Sequence, residues 1–137
     1  EAAKEDQKTF SKEMLRAYVE IPSKACREVD PNHMILGMRW AWISDPDLAT
    51  GWENFDVFSI NCYAVDPTEA ISHVVELGVD LPVMIGEFHF GALDTGLSAT
   101  GLEGVLTQKR SWKSLPLLLR ACSSSSKWCW LPLFPVL

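Results

Sequence analysis

The first thirty residues carry apolar side chains at helical spacing, with Lys and Glu between them. This periodicity predicts a helix over most of Ala2 to Asp30, with its apolar stripe facing the core. Pro22 removes a helical hydrogen bond and crowds the preceding turn, so the segment is either one kinked helix or two helices. The run Asp30-Pro31-Asn32 ends it. The apolar stripe consists of Phe10, Met14, Tyr18 and Val19.

Three later segments carry short apolar runs of strand length, His33–Ala41, Asp56–Ala64 and Leu81–Phe88. Turn-forming residues bound each run, as is typical of strands buried on both faces of a parallel sheet. In each run the apolar residues come first and the polar or aromatic residues come last. The residues Asp45–Trp52 between the first two runs predict a loop rich in Asp, Pro and Gly.

A second helix is predicted over Pro67–Leu77. Asp66 is a candidate N-cap, and Glu69 follows it at capping-box spacing. Gly78 closes the helix. The resulting order of helix, strand, loop, strand, helix and strand predicts an α/β fold built from parallel βα units.

The polar ends of the three predicted strands meet at one rim of such a sheet. Glu87 is a carboxylate directly after a buried run, and an unpaired buried carboxylate is costly. Two explanations remain open: a structural ion pair at a strand end, or catalysis at the C-terminal mouth of a parallel barrel. The residues on this rim are Arg39, Asn61, Tyr63, Glu87 and His89.

Length and charge limit the alternatives. The chain has 137 residues, enough for one domain but fewer than the roughly 250 of a full eight-fold barrel. Its net charge is −6, which argues against nucleic acid or an anionic membrane as the main partner. No spacing of His, Cys and carboxylates predicts a metal site, and the glycines form no phosphate-binding loop, so no cofactor is expected. No apolar run is long enough to span a bilayer.

The last thirty residues differ in character from the rest. From Gln108 onward no helical or strand period is visible, and the stretch holds four consecutive serines and three of the eight prolines. We therefore expect two parts, residues 1–107 as a domain segment and 108–137 as an irregular tail. The chain opens on the charged stretch EAAKEDQK with no signal peptide, and this leaves the compartment undetermined.

Four motifs together carry a family resemblance. They are LGMR (36–39), DVFSINCYA (56–64), PVMIGEFHFGALDTG (82–96) and TGL (100–102). This pattern resembles the C-terminal half of the catalytic barrel of the β-agarases of glycoside hydrolase family 50, within clan A of the (β/α)8 glycosidases. The resemblance implies a partial TIM barrel, about strands five to seven with their helices, from a retaining enzyme that cleaves β-linked galactan. It also implies a secreted or periplasmic protein.

The resemblance assigns roles to the rim residues. It implies that Glu87 is the catalytic nucleophile and that Tyr63 is its hydrogen-bonding partner. Arg39 matches an Arg that follows the fifth strand, and we expect it to be a charge partner near the substrate. Asn61 and His89 are candidate contacts for sugar hydroxyls, and for His89 a purely structural histidine is an equal alternative. Trp40, with Trp42, either stacks on a sugar ring or belongs to the core.

Two departures from the family pattern matter. The clan's acid/base Glu follows an Asn, and this chain has no Asn-Glu pair, so we expect the chain alone to be inactive. The family's eighth strand is not recognisable in the tail, although a reading frame shifted by one nucleotide permits it, which suggests a frameshift product. The alternatives are a non-catalytic carbohydrate-binding remnant and an inactive truncated gene product.

Overall fold

The computed structural model of the chain describes residues 1–43, 45–96, 98–102, 104–111, 113–114, 116 and 129–130. Three short 3-10 turns, Pro46–Leu48, Trp52–Asn54 and Leu93–Thr95, lie in the connections. The remaining elements are α1 (Ala2–Val29), β1 (Phe58–Asn61), α2 (Thr68–Glu76), β2 (Val83–Glu87), β3 (Gly91–Ala92), β4 (Gly104–Val105) and β5 (Cys129–Trp130).

The main sheet is parallel and has the order β1-β2-β5. Strand β1 pairs with β2 in the register Phe58↔Val83 and Ile60↔Ile85, and α2 makes the crossover between them. The α/β class and the parallel pairing of the second and third predicted strands are therefore confirmed, although both strands are shorter than expected. The partial eight-fold barrel stays a prediction, because the sheets seen here are small.

The first predicted strand, His33–Ala41, is wrong as a regular strand. Its only ladder contact in the described chain is an isolated parallel bridge between Trp40 and Ile60, with Trp40 N–H donating to the Ser59 carbonyl at 3.0 Å. Gly37 and Trp42 have φ values of 71° and 46°, and these left-handed conformations interrupt an extended strand. The segment nevertheless lies beside β1 and carries Arg39 to the same rim.

Helix α1 is continuous through Pro22, so of the two alternatives the single helix is correct. Of the apolar stripe only Val19 is buried: Phe10 is 66% exposed, Met14 51% and Tyr18 67%. Ser23 is the other buried residue of the helix. Periodicity predicted the helix correctly, but the expectation that the stripe faces the core is wrong for three of its four residues, because burial depends on a second element that covers them.

Helix α2 begins and ends close to the predicted positions. Its N-cap is Pro67, one residue after the predicted Asp66. The Asp66 carboxylate still accepts hydrogen bonds from the Thr68 hydroxyl and from Thr68 N–H at 2.9 Å. The hydroxyl, and after it the N–H, lowers the pKa of Asp66. Gly78 follows the helix with φ of 80°, as a closing glycine should.

The core lies between α2 and one face of the main sheet. Alternation along β1 sends Phe58 and Ile60 to this side and Ser59 and Asn61 to the other. The core cluster consists of Trp40, Phe58, Ile60, Cys62, Ile71, Val74, Val79, Val83, Ile85, Phe88 and Phe90.

Beyond β2 the chain forms a small second sheet and then enters the tail. Strands β3 and β4 pair in parallel, and the Asp94 carboxylate accepts from Gln108 N–H at 2.8 Å, where residues 108–111 are helical. Cys129–Trp130 pairs with β2, so the absence of a strand pattern in the tail was misleading at these two residues. Most of the predicted irregular tail lies outside the described residues, and the division at residue 107 stays a prediction.

No helix in the described ranges is long and apolar enough to cross a membrane.

Asp56 joins α1 to the segment that precedes β1. Its Oδ2 accepts from Ile35 N–H at 2.7 Å and from the Arg27 guanidinium at 2.7 Å. Its own N–H donates to the Ile35 carbonyl at 2.9 Å. The Ile35 N–H, and after it Arg27, lower the pKa of the Asp56 carboxyl. This one side chain therefore fixes the helix and the edge segment together.

We expect Asp56→Asn to lower the free energy of unfolding by about 1 kcal/mol, since the pair with Arg27 is partly solvent-screened and the amide still accepts from Ile35. A group with a lowered folded pKa stabilises above its unfolded pKa of about 3.9 and loses that contribution as the pH falls through the folded value. Urea unfolding of both chains should therefore show a difference at pH 7 that shrinks below about pH 4. A difference independent of pH would contradict this account.

Candidate active site

The carboxyl end of β2 lies beside the carboxyl end of β1. A register shift after Ile60 places Asn61 opposite Glu87, and Cys62 N–H donates to the Glu87 carbonyl at 2.9 Å. Glu87 is the last residue of its strand. Its side chain therefore leaves a rigid backbone at the rim where the sequence predicts the polar residues to meet.

One carboxylate oxygen of Glu87 accepts a hydrogen bond, and the other forms an ion pair. The Tyr63 hydroxyl donates to Oε1, and Arg39 Nη1 lies 2.8 Å from Oε2. The Glu87 side chain is 30% exposed and the Arg39 side chain 55%. A carboxylate contacted on both oxygens is held in one orientation, and here it remains open to a ligand.

Arg39 reaches Glu87 by crossing over two small residues. A Cβ atom built on Gly86 would lie 2.3 Å from Ser59 Oγ and 2.9 Å from Arg39 Cγ. Ser59 is 1% exposed, and its hydroxyl has no hydrogen-bond partner within the described part of the chain. Gly86 and Ser59 thus leave the space in which the Arg39 side chain lies.

Tyr63 is flanked by two further rings. Trp42 stacks against it, with ring centroids 6.3 Å apart, and is itself 77% exposed. His89 contacts it edge-on, with ring centroids 5.1 Å apart and an interplanar angle of 63°. The phenol whose hydroxyl binds Glu87 is therefore held between an exposed indole and an imidazole.

Beside Tyr63 the surface opens into a groove of about 510 Å³, within the ~300–1,000 Å³ range of small-molecule sites. Asn61 lines it, and its carbonyl Oδ1 is buried without a partner in the ranges described. Trp42 and Leu102 lie at the same groove.

The structure brings Arg39, Tyr63 and Glu87 together, and it places Asn61 and His89 next to them. Trp40 is different. It is 8% exposed and its ring stacks on the core residue Phe58 at 5.8 Å, so its core role is observed. It also lines the groove, and its sugar-stacking role stays a prediction. Trp42 presents the exposed indole instead.

Two residues of the site escaped sequence reasoning, Ser59 and Gly101. Ser59 makes room for Arg39, and Gly101 packs against His89. The signal for Ser59 was a small polar residue between Phe58 and Ile60 in a buried strand. Gly101 gave no local signal, because its partner lies twelve residues away.

No group of three or more metal-binding side chains occurs among the residues that the structure describes.

No family model matches the chain. It is 41% identical over 87 residues to beta-agarase A of Vibrio sp. (strain JT0107), which covers 58% of this chain and 8% of that protein. It is 37% identical over 100 residues to beta-agarase B of the same organism, an alignment that covers 71% of this chain and 10% of that protein. The chain therefore spans about a tenth of the length of these curated relatives.

The solved structures that resemble this chain also include agarases. The agarase AgWH50C superposes with a TM-score of 0.71 and 28% identity over 90% of this chain and 17% of its own. The structure of an exo-beta-agarase superposes with a TM-score of 0.74 and 25% identity, over 88% of this chain and 16% of its own. PfGH50B superposes with a TM-score of 0.75 over 88% of this chain and 17% of its own. At 24% identity this similarity supports the fold alone. The homologues of this chain are thus β-agarases of glycoside hydrolase family 50.

We expect Gly86→Ala to lower the free energy of unfolding by about 1–3 kcal/mol, because the added methyl overlaps Ser59 Oγ and the Arg39 side chain. Ser59→Ala alone should be neutral or slightly stabilising, since it removes a buried hydroxyl that has no partner. In the double variant the Ser59 change should recover about 1 kcal/mol of the loss. Urea unfolding of the four chains measures this coupling, and purely additive effects would contradict the close approach.

Proposed function

We propose that this chain carries the nucleophile side of the active site of a retaining glycoside hydrolase that cleaves β-linked galactan of the agarose type. Glu87 is the nucleophile, Tyr63 orients its carboxylate, and Arg39 is the charge partner on the other oxygen. The observation that carries the proposal is the Glu87 carboxylate itself, bound on both oxygens at the end of a parallel strand and open to a ligand. The agarase names of the relatives support the substrate class.

The chemistry follows from the two donors. In a retaining mechanism the ionised carboxylate attacks the anomeric carbon, the glycosidic bond breaks, and a covalent glycosyl ester forms. The fixed orientation from Tyr63 and Arg39 removes the need to order the nucleophile at the moment of attack.

Sugar binding is assigned to the groove beside Tyr63. Asn61 lines this groove and is assigned to a sugar hydroxyl, and the exposed ring of Trp42 offers a stacking face. Arg39 and His89 are the further polar groups at this rim. Trp40 also lines the groove, but it is 8% exposed and stacks on Phe58, so we assign sugar stacking to Trp42.

The second carboxyl group must come from elsewhere. A retaining enzyme needs an acid/base about 5–5.5 Å from the nucleophile, and the sequence holds no Asn-Glu pair of the kind that supplies it in the clan. We therefore expect no turnover of natural galactan by this chain alone.

The groove itself supports a second candidate from another class, a non-catalytic carbohydrate-binding module. Its contacts would be Trp42 and Asn61, which line the groove, with Glu87 as a hydroxyl acceptor at the adjoining rim. A product without activity or binding is the third candidate.

The nucleophile can be tested without the acid. In 2-deoxy-2-fluoro-β-galactosyl fluoride the leaving fluoride needs little protonation, so attack by the Glu87 carboxylate on C1 expels fluoride and leaves a slowly hydrolysed ester. We expect mass spectrometry of the labelled full chain to find one added sugar, on the peptide that contains Glu87. Tyr63→Phe should slow labelling about 10- to 100-fold, the loss expected for one hydrogen bond to a charged group.

Glu87→Gln is the matched control and should not be labelled. Label on another carboxylate would remove Glu87 from the proposal. An unlabelled chain that still binds agaro-oligosaccharides in calorimetry would establish the binding module. An unlabelled chain with no binding would leave the inactive product.

A further inference from the structure

Among the rim residues, His89 is the one whose role its hydrogen bonds define least. Its Nε2 is buried and has no hydrogen-bond partner in the described chain. Its ring contact is the edge-on approach to Tyr63 at 5.1 Å. A buried ring nitrogen without a partner lowers stability, so the imidazole must be kept for something other than this nitrogen's hydrogen bond.

Gly101 lies directly against that nitrogen. A Cβ atom built on Gly101 would be 2.2 Å from His89 Nε2 and 2.6 Å from Cε1, and its φ of 81° is in the left-handed region. The backbone at Gly101 therefore closes the space where a sugar hydroxyl would have to lie to reach Nε2.

Two more glycines hold this backbone in place. A Cβ on Gly91 would lie 2.2 Å from the Thr100 carbonyl oxygen, and one on Gly104 would lie 2.3 Å from Thr100 Oγ1. Gly91 and Gly104 are also paired across β3 and β4. The segment around Thr100 and Gly101 is thus packed against Gly91, the first residue of β3, which follows His89 by two positions.

We propose that His89 is a positioning residue that acts through Tyr63. Gly101 braces the imidazole on one side, and the imidazole holds the Tyr63 ring so that its hydroxyl donates to Glu87. This differs from the sugar contact expected from the sequence, and it rests on the proposed function of Glu87 as nucleophile.

The fluoroglycoside described above gives two separable constants, the maximal labelling rate and the probe concentration at half-maximal rate. We expect His89→Ala to lower the maximal rate about 2- to 12-fold, the range of an aromatic pair, with the half-maximal concentration unchanged. His89→Phe keeps the ring edge and lacks both nitrogens, so it should restore the rate. In a Tyr63→Phe background His89→Ala should have no further effect, because the hydroxyl it positions is gone.

A direct sugar contact predicts the opposite pattern. His89→Phe would then be as defective as His89→Ala, the half-maximal concentration would rise, and the loss would persist without the Tyr63 hydroxyl. Any of these three results would overturn the positioning role. Gly101→Ala is an independent variant that displaces the ring, and it should reproduce the His89→Ala defect.

A second readout needs no labelling. The chain has two tyrosines, Tyr63 and the exposed Tyr18 on α1, so 3-fluorotyrosine gives two fluorine NMR signals that Tyr18→Phe assigns. His89→Ala should shift the Tyr63 signal, His89→Phe should return it, and the Tyr18 signal should stay unchanged. This pattern in a chain that does not label would support the positioning role and reject the proposed function. An unshifted Tyr63 signal would reject the positioning role alone.

Discussion

The carboxylate of Glu87 needs partners, and the rest of the site is arranged to supply them. A charged group at the end of a buried strand is stable there only if donors replace the water it loses. Tyr63 comes from the end of the neighbouring strand and Arg39 from the segment beyond it, so the two donors approach one carboxylate from the same edge of the sheet. Parallel pairing of β1 and β2 is what makes that approach possible.

The positions of Arg39 and His89 depend in turn on small neighbouring residues. Arg39 crosses the sheet where Gly86 and Ser59 leave room, and His89 reaches Tyr63 where Gly101 lies against its far side. These small residues have no chemistry of their own at the site. They determine where the reactive side chains can lie, and close packing of this kind tolerates few added atoms.

Sequence patterns predicted the parts of the molecule that local rules govern. Apolar runs ending in polar residues correctly brought Glu87, Tyr63 and Arg39 to one rim, and Gly78 correctly ended α2. They failed where a distant partner decides. His33–Ala41 is apolar enough for a strand, but Gly37 and Trp42 adopt left-handed conformations. The α1 stripe needs a covering element, and the burial of Trp40 depends on its contact with Phe58.

The central claim is that Glu87 attacks the anomeric carbon. Its most direct test is a chimaera in which residues 1–107 replace the matching segment of a solved agarase, so that an acid/base is present. With Glu87→Ala and an aryl β-galactoside, azide should enter through the space left by the carboxylate and give the α-galactosyl azide. A β-galactosyl azide would make Glu87 the acid/base instead, and undiminished hydrolysis without azide would remove it from the mechanism.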